Sequence, residues 1–255
     1  MTTAQQARQS PVYHASITVG LIAYGVVHLL IAWIALQIAW GKASQEGSHE
    51  GALHELASKP FGGVLLWIVA AGLFSLVIWK GFEVAYGFLD TKKKISAVGR
   101  GIVYLVLAVS AAKTAMGSGK SSAGTSSGLS AKLMQNGAGR VLVVLIGLVV
   151  IGFGIHQLTK AVKKTFREDL VGGVSESTVL LGRIGYGAKG IAFVIAGALF
   201  AWAAVSYDPK KAGGLDTALH TIRNQPFGSV LLTLLALGVA SFGVYAFVWS
   251  RNAKH

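Results

Sequence analysis

Residues 52–66 read ALHELASKPFGGVLL, and residues 218–232 read ALHTIRNQPFGSVLL. The match runs on without a gap to Gly72 and Gly238, and 11 of those 21 positions are identical. A weaker third copy, LMQNGAGRVLVVLIG, lies between them at 133–147. Aligning Gly62, Gly139 and Gly228 brings Leu56, Leu133 and Ile222 into one column, and sets Pro60 and Pro226 against Gly137. Each copy opens a long apolar run, so the chain repeats one structural unit three times.

The helices that precede these segments align as well. LIAYGVVH (21–28), AVGRGIVY (97–104) and YGAKGIAF (186–193) superpose with Gly25, Gly101 and Gly190 in one column. Ala32, Ala108 and Gly197 then coincide two turns further on. Small side chains at both levels of one helix face mark close helix packing. A unit with an even number of spans re-enters the membrane in the same orientation, so such repeats are related by an axis along the membrane normal. The expected fold is an all-α polytopic membrane protein. Its six transmembrane helices form three parallel two-helix repeats, at 14–88, 97–163 and 180–250, with pseudo-threefold symmetry in a single membrane domain covering 1–255.

Composition agrees. Of 255 residues 53% are hydrophobic and 13% charged, where soluble domains carry roughly a quarter charged residues. Six spans are expected at about 15–40, 62–87, 98–116, 139–161, 184–206 and 227–250. Five reach the roughly 20 residues a crossing helix needs, and the third is nearer the lower limit. The first run, too long for a signal-peptide core, is expected to be a retained anchor. SGKSSAGTSSGLS (118–130) reads as a flexible connection. With no Cys in the chain, disulfides, Cys-ligated zinc and iron–sulfur centres are excluded.

The formal charge of +13 does not point to nucleic acid, because the bases sit at the ends of apolar runs. Arg8, Lys92, Lys93, Lys94, Arg100, Lys163, Lys164, Arg167, Arg183, Arg251 and Lys254 fall on the side that holds both termini. Lys42, Lys59, Lys120, Lys132, Lys210, Lys211 and Arg223 fall on the other. The positive-inside rule then places both termini in the cytoplasm. The expected location is a cytoplasmic membrane.

The repeated pattern resembles DUF1206, a bacterial membrane family of unknown function built from three tandem two-helix units. RIGYGAKGIAF (183–193) with GLDTALHTIRNQPFGSVLL (214–232) carries the resemblance best. The first copy has Tyr24 where the others have a base before glycine, and the second lacks Pro-Phe-Gly. The resemblance covers nearly the whole chain. It implies the fold and brings no mechanism.

Several residues stand out as functional or packing candidates. Pro60 and Pro226 are expected in the first turn of an even-numbered helix. Phe61 and Phe227 are expected to anchor at the interface, with Gly62 and Gly228 permitting close approach of a neighbour. His54 and His220 recur as surface residues, headgroup contacts or paired ligands, without the third ligand a metal site wants. His28 lies near the centre of the first span, where an ionisable group defaults to a functional hypothesis; its counterparts are Tyr104 and Phe193. His156 aligns with Trp79 and Tyr245. Lys80 and Glu83, three apart, are expected to pair. Arg100 and Lys189 are repeat equivalents, expected near the starts of their helices, where the dipole disfavours a base.

HExxH, GxSxG, the phosphate loop and the Rossmann fingerprint are all missing, and no catalytic constellation emerges. The expectation is no metal and no cofactor, and an enzyme is the least supported class. The leading reading is a structural, lipid-interacting or protein-interacting module whose partners are membrane lipids, a second copy or another membrane protein. The alternative is a small channel or transporter with a central path between the repeats.

Overall fold

A computed structural model of the chain describes residues 11–41, 46–86, 91–118, 122–172 and 174–253. The bases Arg8, Lys42, Lys120 and Lys254 and the side chains of Lys92 and Lys93 lie outside the described residues. Nine α-helices are described: α1 (Pro11–Ala39), α2 (His49–Ala57), α3 (Gly62–Tyr86), α4 (Thr91–Ala115), α5 (Ser122–Leu133), α6 (Gly137–Lys163), α7 (Glu176–Ser206), α8 (Gly214–Arg223) and α9 (Gly228–Asn252). Short 3-10 turns occupy Thr165–Asp169 and Pro209–Ala212. Six helices, α1, α3, α4, α6, α7 and α9, are long and apolar enough to cross a membrane. One short helix follows each odd-numbered span, and α2, α5 and α8 gather at the end opposite the termini.

The spans follow the three repeats. In each repeat boundary, the second helix of one unit packs on the first helix of the next: α3 on α4, α6 on α7, and α9 back on α1. That closed cyclic order is what a threefold relation requires. No two odd-numbered spans pack backbone to backbone among the described residues, so side chains fill the axis.

Glycine makes the contacts. A Cβ on Gly25 would stand 2.9 Å from the carbonyl oxygen of Gly243, joining α1 to α9. A Cβ on Gly190 would stand 2.8 Å from that of Gly154, joining α7 to α6. Lipid tails are as apolar as leucine, so helices in a bilayer associate through this close van der Waals approach rather than through apolar burial.

Within the hairpins the same device works twice and fails once. In the first, a Cβ on Gly72 would lie 3.3 Å from the Cα of Gly20 and 3.4 Å from the Cβ of Ala23. In the third, a Cβ on Gly238 would lie 2.5 Å from the Cβ of Ala188, and one on Gly185 2.6 Å from the Cα of Phe242. The middle hairpin has Val149 in the Gly72/Gly238 column, and Val149 is 72% exposed. Here α4 and α6 stand apart without comparable backbone contact. They are also the least covered spans: 28% and 22% of their most apolar windows are buried, against 61% in α1. Among the described residues the ring therefore has one open seam, between α4 and α6.

Three expectations are corrected. The third helix starts at Thr91 rather than near 98, so Lys92, Lys93 and Lys94 lie in its first turn. Much of the stretch expected to be flexible is helix α5, which packs against α8 and the Pro209–Ala212 turn; tertiary packing overrides its Gly/Ser composition. Pro60 and Pro226 precede their helices instead of occupying the first turn, because α3 and α9 begin at Gly62 and Gly228.

Candidate functional site

The Pro-Phe-Gly segments form two matching turns. The N–H of Gly62 donates to Lys59 O at 2.9 Å, and that of Gly228 to Gln225 O at 2.8 Å. Phe61 and Phe227 take left-handed conformations, with φ 61° and 58°, as the third position of a type II turn requires. This conformation costs a non-glycine residue roughly 1–2 kcal/mol. Glycine is reserved for the next position, where a Cβ would collide with the carbonyl oxygens of Leu56 and Ile222. The middle copy repeats that collision at Gly139 against Leu133 O, but Asn136 replaces the turn by capping Gly139 N–H at 2.8 Å. Both Phe rings are 84% exposed, at the rim that the short helices occupy.

Before each turn, Ala52 and Leu53, and Ala218 and Leu219, are buried under the short helices. The recurring histidines occupy the other side. His54 is half-buried on α2, and His220 is exposed on α8, 3.7 Å from Asp216. Among the described residues, no cluster of three or more His, Cys, Asp or Glu could hold a metal ion.

The axis holds the polar residues. Tyr24, Arg100 and Lys189 share the column before the repeated glycine, and Lys189 Nζ donates to Tyr24 Oη at 2.9 Å. Lys189 is 6% exposed and sits in the middle of α7, not near its start, because α7 begins as early as Glu176. Its ammonium lies 3.7 Å from the centroid of Phe242, an attractive cation–π geometry. No carboxylate among the described residues pairs with it. His28, 2% exposed, directs Nδ1 to Tyr24 O at 2.8 Å. Its ring lies 4.3 Å from Tyr24 and 5.5 Å from His49, centroid to centroid.

Toward the short helices, His28, His49 and Lys189 line a cavity otherwise walled by apolar groups, including Ala192, Phe193 and Leu219. His49 belongs to α2, outside the spans. Burial pushes its pKa down from 6.5 to about 4, with Lys189 adding to the shift and Glu50 opposing it. Toward the termini the axis is filled by rings. Tyr24 meets Tyr104 at 5.4 Å and Phe242 at 5.7 Å, and Tyr186 meets Phe242 at 5.1 Å.

Beyond the rings, at the end that bears the termini, lies an ion cluster. Lys80 pairs with Glu83 as the spacing predicts, and its ammonium lies 3.6 Å from the Trp79 ring centroid. Arg100 of α4 reaches Asp169 at 3.4 Å, and Lys160 of α6 reaches the same carboxylate at 3.3 Å. Burial disfavours the ionised Asp169, but Lys160, Arg100 and Lys80 outweigh it and hold its pKa below the usual value. Asp169 ends a 3-10 turn, and the next residues are clasped to the C-terminal helix: Leu170 bridges Ala253, and Val171 N–H donates to Asn252 O at 2.7 Å. The chain Arg100–Asp169–Lys160 thus spans the mouth of the open seam. Three cations, Lys80, Arg100 and Lys160, meet two carboxylates, Glu83 and Asp169, and Arg100 Nε is buried without a hydrogen-bond partner. His156 is exposed on α6 and within electrostatic reach of Lys160 and Arg100. Its counterparts Trp79 and Tyr245 are buried, because only the middle hairpin is open.

The sequence singled out Arg100, Lys189 and His28 but missed Lys160, Asp169 and His49. Lys160 aligns with Glu83 through the repeat, a charge exchange that was readable. Asp169 carried no signal, since it lies in a connection without a repeat counterpart.

A family model described as "Domain of Unknown Function (DUF1206)" matches residues 19–87, 95–164 and 184–253. The chain is 30% identical over 240 residues to "Uncharacterized protein YxxB" of Bacillus subtilis (strain 168), covering 89% of this chain and 86% of that protein. No solved structure matches. With one match on each of its three hairpins, the chain belongs to the DUF1206 family.

Proposed function

We propose that this membrane protein is a lipid-interacting module of the bacterial cytoplasmic membrane, with both termini in the cytoplasm. The observation that carries the reading is the α4–α6 seam. The first and third hairpins are sealed by glycine, and the middle one presents Val149, Phe153 and Ile155 outward instead. A gap lined by exposed apolar side chains at bilayer depth is matched by an acyl chain, which is as apolar as the side chains themselves. The orientation rests on the bases at the terminus-bearing end, Lys94, Arg100, Lys163, Lys164 and Arg183 among them.

The cysteine-free chain offers a direct test. A nitroxide on Val149→Cys in lipid bilayers should report high accessibility to oxygen and low accessibility to a water-soluble relaxant. Close label–label coupling between molecules would mean that a second copy covers the seam, and would sink the lipid reading.

A second reading, a path along the axis, is favoured by the cavity at His28, His49 and Lys189. It requires the rings of Tyr24, Tyr104, Tyr186 and Phe242 to move. Solute flux into proteoliposomes that is lost on Lys189→Met would favour it over the first.

A further inference from the structure

We propose that the seam holds one anionic phospholipid, its phosphate seated at the Arg100–Asp169–Lys160 mouth and an acyl chain between α4 and α6. This rests on the lipid reading above and adds the headgroup class. The argument begins with charge. At the mouth Lys80, Arg100 and Lys160 face Glu83 and Asp169, Glu168 also acts on Lys160, and Lys163 and Lys164 follow at the same helix end, so cations outnumber carboxylates and favour an anionic headgroup. Arg100 retains a buried, unpartnered Nε–H, and guanidinium donors match phosphate oxygens in geometry as well as charge. Asp169 holds Arg100 and Lys160 toward each other across the gap, so two donors from two helices converge where neither helix touches the other. His156 stands on the exposed face of α6 beside them.

The apolar part is argued from the repeat. Residues that meet Gly72 in the closed first hairpin are Val19, Gly20 and Ala23. Their middle-copy equivalents are Ile95, Ser96 and Gly99. Ile95 is exposed, and a Cβ on Gly99 would meet nothing within 4 Å. On α6, Val149 is also exposed. Deeper along α4 than Arg100, Val103 and Val106 are exposed as well, so apolar surface continues inward from the ion cluster on both helices, the shape of a headgroup followed by its chain. Zwitterionic lipids share the chain and lack the net charge.

The test is native mass spectrometry of the full chain with phosphatidylglycerol or phosphatidylethanolamine of identical acyl chains. One retained phosphatidylglycerol per chain is expected, at least about tenfold over phosphatidylethanolamine, which corresponds to about 1.4 kcal/mol. The Arg100→Gln, Lys160→Gln double variant should lose that preference, Arg100→Lys should keep most of it, and exposed His156→Phe should weaken it without touching the fold. Gly99→Trp, beside Arg100, blocks the mouth of the seam and should lower retention of both lipids. Equal retention of the two lipids overturns the anionic inference and leaves the lipid reading standing. Retention of neither by the wild type, or retention indifferent to Gly99→Trp, overturns both. Inorganic phosphate that raises the melting temperature as much as phosphatidylglycerol does would reassign the site to the free anion.

Discussion

In the first hairpin α1 and α3 approach until a Cβ on Gly72 would sit 3.3 Å from the Cα of Gly20, while in the middle hairpin the same column holds Val149, 72% exposed. The flanking contacts do not share this contrast. The middle unit still packs α4 on α3 and α6 on α7, as the other units pack on their neighbours. One column of side chains thus decides whether a hairpin closes, and the packing between repeats is independent of it. Where bilayer helices cohere by close approach, two methyl groups at the wrong height are enough to separate them.

The strongest way to break this comparison is to move the middle residue into a closed hairpin. Gly238→Val should drive its side chain into Ala188, whose Cβ already lies 2.5 Å from where a Cβ on Gly238 would stand. Overpacking of this kind costs up to ~3 kcal/mol, roughly 6–12 °C for a chain of this size, read as a tryptophan-fluorescence melt in detergent. Val149→Met, an exposed change, should leave the melt in place; an equal loss in both variants would mean that the column does not set closure.

Next in size is the shared glycine at the head of each even-numbered span. Gly139→Ala meets Leu133 O as Gly62→Ala meets Leu56 O. Both should lose about 2 kcal/mol, so open and closed hairpins should suffer alike. A middle variant that melts like wild type would mean the helix entry is relaxed there too.

A smaller effect separates the axis from the seam. His49 is held neutral in the fold, with a pKa of about 4 against 6.5. The unfolded chain therefore binds the proton first, and stability should fall as pH drops from 6.5 toward 4. His49→Phe should flatten that slope in thermal melts, and an unchanged slope would remove His49 as its source. The smallest effect expected is a gain. Phe61→Gly and Phe227→Gly relieve the left-handed strain, offset in part by chain entropy, and should each add ~0.5–1 kcal/mol. The middle copy has no such residue to relax, so Ala138→Gly should add nothing.

Much of this architecture was legible in the residues. The glycine columns and the apolar runs carry the repeat, the helix count and the interfaces. The positions of His28 and Lys80 on their helices follow from the same alignment, whereas Arg100 lies more than two turns inside a helix that begins at Thr91. Other features were not legible, for physical reasons. Val149 in place of glycine looks like one more aliphatic residue in VLVVLIGLVV until the partner face is known. Helix α5 is made of residues that favour loops and is held by its neighbours. Lys189 moved from a helix start to a helix centre because α7 extends back to Ser175, whose hydroxyl accepts from Thr178 N–H at 3.3 Å. Asp169 belongs to a connection, where periodicity says nothing.

The continuity of the chain has a consequence for how such a seam can exist at all. A trimer of identical two-helix subunits would carry the same residue at all three equivalent heights. It would be sealed everywhere or gaping everywhere, and three gaps would leave no ring. Joining the units into one polypeptide frees each height to differ. One Val among two Gly then stands at a single open seam among the described residues, and symmetry supplies the ring while its local violation supplies the gap.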